Sequence, residues 1–284
     1  MNFIFSFSES KKFPIFEFYS QENLSNFFNL ANYSIYRASI FGRVFLYTTE
    51  DKIELFRRNI IIPVIFRVIP ENETFFWAQS KFFAIKSFLN EFNSECVHLD
   101  LDVILLKRFI AGAPEIIISH GEPYSDAGLQ YLRKNNIPEA LGDCWWYQKV
   151  LNDINCEPDL DEWKEILALG YAFNTSLVGG YRRDLVMDIC NKVLNFVERY
   201  NEKILSLMEE NSGGHLYTAV AEQGYLAHLC QSLKVRVSSY GWPGNYLHFY
   251  CQTKLGAEFN RRIRYLMEDC RYMQEDPAVF LRGL

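Results

Sequence analysis

Two aspartates, Asp100 and Asp102, stand between two apolar runs in the segment ECVHLDLDVILL. On an extended chain the side chains of residues i and i+2 point to the same face, so the two carboxylates are predicted to project together. A carboxylate pair in apolar surroundings is costly unless a cation neutralises it. Carboxylate oxygens suit Mg²⁺ or Mn²⁺, and phosphate oxygens complete the coordination of such ions. The pair therefore predicts a divalent-metal site that handles a phosphate-bearing substrate.

The elements that must position this pair alternate between strands and helices. Strands are predicted at residues 2–7, 43–48, 63–69, 96–100, 115–119, 173–178 and 235–238. Helices are predicted at 23–40, 73–90, 216–231 and 255–272. Two further helices are predicted to begin after the capping residues Asp51 and Asp184. This alternation predicts an α/β fold with a mostly parallel sheet and helices on both faces. Ligands bind such sheets at the carboxyl ends of the strands, where Asp100 and Asp102 lie.

Composition excludes several classes of protein. The chain has 284 residues, 49% of them hydrophobic and 16% aromatic, which is enough for a packed core and argues against disorder. A net charge of −6 argues against a general nucleic-acid binder. Seven scattered cysteines without a CxxC pair indicate free thiols in a reducing compartment. With no signal peptide and no apolar run long enough to span a bilayer, we expect a soluble cytoplasmic protein.

Four segments, in this order, resemble the GT-A glycosyltransferases, and within them the retaining glycogenin-like and bacterial galactosyltransferase-like family. They are Lys81 on the helix before the aspartates, the DxD motif in residues 98–103, FNTSLVGG at 173–180, and HFYCQTK at 248–254, spaced like the family's HxxGxxK element. The resemblance implies a GT-A (Rossmann-like) domain over residues 1–255, with an insertion at about 121–165 and a C-terminal helical extension at 256–284. Two residues depart from the pattern, since Cys251 and Ser176 stand where the family commonly has glycine.

The resemblance implies a metal-dependent transferase that moves a sugar from a nucleoside diphosphate donor, a UDP-sugar, with retention at the anomeric carbon. It implies Asp102 as a direct ligand of Mn²⁺ or Mg²⁺, Asp100 as a contact shared by metal and ribose, and His248 as the third protein ligand. Lys254 would hold the diphosphate, and Lys81 would contact the donor. The acceptor, whether a glycan, a lipid-linked molecule or a protein, is not indicated.

The resemblance also assigns residues to the sugar. The amide of Asn174 would bond a sugar hydroxyl, and Glu222 or Gln223 would face the reacting sugar. Consecutive residues on a helix point in different directions, so these two cannot both face the donor equally. Three tryptophans are either core side chains or platforms for a sugar ring: Trp145, Trp146 and Trp163. Three arginines form a solvated face or contact an anionic membrane that carries the acceptor: Arg261, Arg262 and Arg264.

Ordinary structural roles compete with each of these assignments. Asp100 and Asp102 would form a polar strand end, His248 would be a satisfied structural histidine, and Lys81 would extend its amine to solvent from an apolar helix. Asn174 would cap a turn, and Glu222 and Gln223 would lie on a surface helix.

Two other functions use the same features. A metal-dependent nucleotidyltransferase also needs carboxylates on a parallel sheet, but it normally has a glycine- and cation-rich loop after the first strand. Residues 6–12 (SFSESKK) contain no glycine. A non-catalytic sugar-binding protein on a degenerate transferase fold is the third hypothesis, and Cys251 lends it weight.

Overall fold

A computed structural model describes residues 1–9, 21–107, 115–139, 145–210, 214–240 and 246–248. The strands in these ranges are β1 Asn2–Phe7, β2 Arg43–Thr48, β3 Ile65–Val68, β4 Cys96–Leu99, β5 Val103–Leu105, β6 Ile116–Pro123, β7 Tyr171–Gly180, β8 Val237–Ser239 and β9 Tyr246–His248. The helices are α1 Gln21–Ser39, α2 Glu50–Asn59, α3 Gln79–Glu91, α4 Asp126–Lys134, α5 Trp145–Ile154, α6 Asp161–Ala168, α7 Arg183–Glu210, α8 Gly214–Ala219 and α9 Tyr225–Ser232. A 3₁₀ turn covers Pro158–Leu160, and a π-helical segment covers Val220–Gly224 between α8 and α9.

Over the described ranges, seven strands form one sheet in the order β3-β2-β1-β4-β7-β6-β8, and β5 pairs with β9 in a separate ladder. Strands β1 to β4 are parallel to one another, and β8 is parallel to β6. Strand β7 is antiparallel to both β4 and β6, so it alone is reversed in this sheet. The predicted α/β fold with a mostly parallel sheet is therefore confirmed. The reversal of β7 brings its first half to the edge where β4 and β6 end.

Helices cover both faces of the sheet because its strands alternate apolar side chains between them. In β1, Phe3 and Phe5 belong to one hydrophobic cluster, whereas Ile4 belongs to the other. The first cluster includes buried side chains of α1 and α2, and the second includes those of α3 and α7. None of the described helices has both the length and the apolar character needed to cross a bilayer.

Trp163 of α6 is a core residue. Its side chain is fully buried, and its ring packs against those of Phe75, Phe196 and Tyr217 at centroid distances of 5.1–6.2 Å. Of the two alternatives that the sequence left for this tryptophan, the structure selects the core. The side chains of Trp145 and Trp146 lie outside the described part of the chain.

Several predicted helix starts are wrong by a few residues, for local reasons. Helix α3 begins at Gln79 rather than at residue 73, because the Asn72 side chain accepts bonds from the backbone N–H and the hydroxyl of Thr74 and donates to the carbonyl of Phe76. This turn competes with helix formation. Asp51 and Asp184 do not cap their helices but lie in the first turns of α2 and α7. The helix predicted at 216–231 is interrupted by the π-helical segment.

Gly179 allows β7 to pack closely against β4. A Cβ at this position would lie 2.4 Å from the carbonyl oxygen of Cys96 and 2.8 Å from Cα of Val97. Both are backbone atoms, so neither can move aside as a flexible side chain would.

Gly179→Ala is expected to lower the free energy of unfolding by about 1–3 kcal/mol, the usual cost of forcing extra volume into a packed interior. Denaturant titration followed by circular dichroism measures the change. An unchanged midpoint would contradict the close approach of β4 and β7.

Candidate functional site

The site begins where β4 ends. The backbone N–H of Asp100 donates to the carbonyl of Ser176 on β7 at 2.8 Å, and the N–H of Val103 donates back to the carbonyl of Asp100 at 3.0 Å. The prediction that both aspartates lie on an extended chain is therefore wrong, because Leu101 and Asp102 form a turn. Strand β5 starts at Val103, directly after this turn. The turn holds both carboxylates at the carboxyl end of β4.

His248 reaches these carboxylates through β9. Strand β9 pairs antiparallel with β5, and His248 stands opposite Val103, the residue that follows Asp102. Its Nε2 lies 3.6 Å from Oδ1 of Asp102. One ligand atom each from Asp100, Asp102 and His248 lie within 4.8 Å of one another. The three residues that the resemblance implied as metal ligands therefore converge.

These three side chains fit a divalent cation. Donor atoms bonded to one such ion at about 2.1 Å are about 3 Å apart when adjacent and about 4 Å apart when opposite, and the separation of 3.6 Å between His248 and Asp102 lies in this range. An imidazole suits Mn²⁺ better than Mg²⁺. The side chain of Asp100 is 30% exposed, so a ligand oxygen can approach the group from solvent.

Lys81 lies behind the aspartates as a buried cation. From the first turn of α3, its Nζ lies 3.1 Å from Oδ1 of Asp100, donates to the carbonyl of Thr175 at 2.8 Å, and contacts the carboxylate of Glu222. An ammonium has three hydrogens, and these acceptors can take all of them. Burial alone would lower the pKa of Lys81, but Asp100 and Glu222 outweigh burial and raise the pKa above its ordinary value. The lysine is therefore charged.

The π-helical segment determines which neighbouring side chain joins this group. Within it, Glu222 is buried and accepts bonds from Lys81 and from the hydroxyl of Thr175. Gln223 points elsewhere, and its Oε1 accepts a bond from the hydroxyl of Tyr147 at 3.3 Å. Glu222 is thus the member of the predicted pair that joins the site. Single π turns of this kind occur often at functional sites.

Carboxylates crowd together in this group. Lys81 contacts those of Asp100 and Glu222, and the negative charges of Asp102 and Glu222 both act on Asp100. Burial, assisted by the negative charges of Asp102 and Glu222, raises the pKa of Asp100 to about 7. The positive charge of Lys81 opposes this rise. A divalent cation bound here would favour the ionised forms of Asp100 and Asp102.

A second polar row lies on β6 and β7, and its β6 members were not predicted from sequence. Asn174 donates from Nδ2 to Oε1 of Glu122 at 2.8 Å and accepts from the N–H of Ser176 at 3.1 Å. Oε1 of Glu122 lies 3.4 Å from Nε2 of His120, whose Nδ1 is 3.0 Å from the hydroxyl of Tyr246. A sequence signal existed, since His120 and Glu122 are i and i+2 at the end of a strand that begins with the apolar run 116–118.

Ser6 and His98 join the carboxyl ends of β1 and β4. The hydroxyl of Ser6 donates to Oγ of Ser80 at 3.2 Å and lies 2.8 Å from Nε2 of His98, which can therefore donate to it. Burial, assisted by Lys81, lowers the pKa of His98 well below its usual value, so the imidazole is neutral.

The strand order of the sheet reverses at β1, which lies between β2 and β4. Open α/β sheets bind their ligands at this position.

Several predicted site residues lie outside the described residues: Lys254, Cys251, Arg261, Arg262 and Arg264, together with the helix at 255–272. Their roles stay predictions.

Comparison with known proteins finds no matching family model and no matching curated protein. Among solved structures, an inositol-1-phosphate CTP transferase from T. maritima is 12% identical with a TM-score of 0.43, covering 93% of this chain and 94% of that one. A nucleoside-diphosphate-sugar pyrophosphorylase from Vibrio cholerae RC9 is 9% identical with a TM-score of 0.41, covering 93% and 100%. Mouse xyloside xylosyltransferase 1 is 12% identical with a TM-score of 0.32, covering 84% and 77%. These scores are too low to transfer an activity to this chain.

Proposed function

We propose that this protein is a metal-dependent glycosyltransferase that moves a sugar from a nucleoside diphosphate donor, a UDP-sugar, to a glycan, lipid-linked or protein acceptor. The observation that carries the proposal is the convergence of Asp100, Asp102 and His248 at the carboxyl end of β4. This position lies next to β1, where the strand order reverses and open α/β sheets bind their ligands. Nothing in the charge of the chain suggests a nucleic-acid partner.

In this proposal Asp100, Asp102 and His248 hold Mn²⁺ or Mg²⁺. The cation supplies positive charge to the oxygens of the departing diphosphate. Lys81 keeps the carboxylates of Asp100 and Glu222 oriented by bonding both of them. Lys254 adds a second positive charge near the diphosphate, as the resemblance implies.

Asn174 and Glu222 are the proposed contacts of the sugar. The amide nitrogen of Asn174 has two hydrogens, and among the described residues one of them bonds Glu122. The resemblance implies that the other orients a hydroxyl of the transferred sugar. The carboxylate of Glu222 is buried and bonded to Lys81 and Thr175, and its proposed role beside the reacting sugar is the one that the resemblance implies. Retention at the anomeric carbon follows from the family resemblance alone.

Product analysis tests the proposal. The purified protein is incubated with a panel of UDP-sugars and Mn²⁺, and the released phosphates are separated by ion-exchange chromatography. Release of UDP supports glycosyl transfer. Release of pyrophosphate from a nucleoside triphosphate and a sugar phosphate would instead identify a nucleotidyltransferase. Sugar binding without turnover under any metal would identify a non-catalytic binding protein.

Removal of the metal gives a further expectation. Treatment with EDTA should stop UDP release, and added Mn²⁺ should restore it more fully than Mg²⁺, because an imidazole ligand favours Mn²⁺. Ca²⁺ serves as the control ion, since it requires more and longer oxygen contacts than this group offers. Full activity in EDTA would contradict a metal role for Asp100, Asp102 and His248.

A further inference from the structure

His248, the third residue of the metal group, lies on β9, a strand of three residues. Besides its ladder with β5, β9 contacts β6 through the side chain of Tyr246. We infer that Tyr246 and His120, here called the β9 latch, hold β9 in the position that directs His248 at the metal. The inference rests on the proposed metal group and deepens it. It assigns two positioning residues to His248, the proposed ligand that is far from the two aspartates in the sequence.

Contacts within the latch are buried. The side chains of Tyr246 and His120 have no exposed surface, and the phenol oxygen lies 3.0 Å from Nδ1 of the imidazole. On its other side the imidazole faces the carboxylate of Glu122, with Nε2 3.4 Å from Oε1. The hydroxyl of Tyr246 and Nδ1 of His120 form a hydrogen bond whose donor is set by the tautomer of the imidazole.

Tyr246 and His248 are i and i+2 on β9, so their side chains project to the same side of the strand. On that side Tyr246 contacts His120 of β6, and His248 contacts Asp102. A shift of β9 that broke the contact of Tyr246 would also move His248 away from the aspartates. Because only one residue separates Tyr246 from His248, the position of one side chain depends on that of the other.

The ladder between β5 and β9 is short, and apolar burial of Tyr246 beside Tyr240 supports it. Three residue pairs join the strands: Val103 with His248, Ile104 with Leu247, and Leu105 with Tyr246. Isolated two-stranded pairings are marginal in water. The latch adds a polar attachment to β6, which is an inner strand of the main sheet and paired on both sides.

The same row of polar contacts also connects His120 with Asp100, another proposed ligand of the metal. From His120 it passes through Glu122 to Asn174, and from Asn174 to the N–H of Ser176. The carbonyl of Ser176 accepts from the N–H of Asp100. Asp100 and His248 are thus attached, at opposite ends of one row, to the paired strands β6 and β7. This arrangement fits a role in setting the separation of the ligands.

A purely structural role for Tyr246 makes a different prediction. If its hydroxyl only stabilised the core, Tyr246→Phe would lower the unfolding temperature and leave the affinity of the folded protein for Mn²⁺ unchanged. Metal affinity, measured well below the unfolding temperature, therefore separates the two roles.

The experiment is a double-mutant cycle with Mn²⁺ as the only ligand. Mn²⁺ binding is measured by isothermal titration on the parent protein, Tyr246→Phe, His248→Ala and the double variant, and pulsed EPR records the nitrogen modulation of bound Mn²⁺. We expect Tyr246→Phe to bind about fivefold more weakly, the scale of one lost hydrogen bond, with a reduced nitrogen signal. In the His248→Ala background the same change should have no further effect, because the latch acts through His248.

Tyr240→Phe is the matched control. The ring of Tyr240 stacks on that of Tyr246 at a centroid distance of 6.1 Å, and its hydroxyl donates to the carbonyl of Lys107 rather than to the latch. It should bind Mn²⁺ like the parent. His120→Asn, which keeps a polar atom near the position of Nδ1, should retain more affinity than His120→Leu. These variants provide the test if Tyr246→Phe does not fold.

Two failures are distinguishable. If the parent binds Mn²⁺ and Tyr246→Phe binds it equally well with the same nitrogen signal, the latch is overturned and the metal group stands. An equal loss in the presence and absence of His248 also overturns the latch, because Tyr246 would then act on the site as a whole. If the parent itself binds no Mn²⁺, the proposed metal group fails and the latch fails with it.

Discussion

Asp102→Asn is expected to abolish the Mn²⁺-dependent part of nucleotide binding while leaving the protein folded. Asparagine keeps the shape of the side chain but removes the charge that a divalent cation requires. We expect UDP affinity in the presence of Mn²⁺ to fall by about 100-fold or more, since the loss of a residue that only supports a metal ligand already costs about 10–100-fold. Isothermal titration with UDP, with and without Mn²⁺, measures the change.

A stability measurement belongs to the same prediction. The carboxylate of Asp102 raises the pKa of Asp100, so its neutralisation removes a repulsion between the two side chains. We therefore expect the metal-free variant to stay folded, with an unfolding temperature close to that of the parent. Asp161→Asn, at a side chain that is 80% exposed, is the matched control and should alter neither quantity. Retention of parental UDP–Mn²⁺ affinity by Asp102→Asn would falsify the metal hypothesis.

Lys81→Met is expected to be the most destabilising single change at the site. The side chain is 5% exposed and contacts two carboxylates, one of which, Glu222, is equally buried. Removal of the cation leaves the carboxylate of Glu222 without its counter-charge in the interior, and breaking a buried pair in this way typically costs about 3–5 kcal/mol. Urea denaturation measures the loss. Lys86→Met, on the same helix at a half-buried position, should change the free energy of unfolding far less.

Substituting Glu222 as well tests whether its unpaired charge causes the loss of stability in Lys81→Met. The double variant Lys81→Met/Glu222→Gln should be more stable than Lys81→Met, because the cost lies in the uncompensated charge rather than in the lost contact. If the two substitutions instead destabilise additively, the ion pair between Lys81 and Glu222 does not account for the effect of Lys81. Neither variant is expected to retain transfer activity, since both disturb the support of Asp100.

Local pattern accounts for the parts of the fold that the sequence predicted well. The strands at residues 43–48 and 2–7 are mostly apolar, and both were predicted with their observed bounds. The start of α3 was missed because Asn72 offers the backbone an alternative set of hydrogen bonds, which an apolar periodicity does not register. The same limit applies to the π-helical turn that selects Glu222 over Gln223.

By itself the sequence determined that Asp100 and Asp102 follow an apolar strand in an α/β chain, because both the periodicity of strands and the acidic pair are local properties. Only the tertiary structure decided which distant side chains meet them. Lys81, Glu222 and Thr175 come together across the reversed strand β7, and His248 arrives through the ladder of β9 with β5. Such contacts depend on how separate elements pack, and the free energy that selects them comes from burial and charge compensation over the whole site rather than from any one segment.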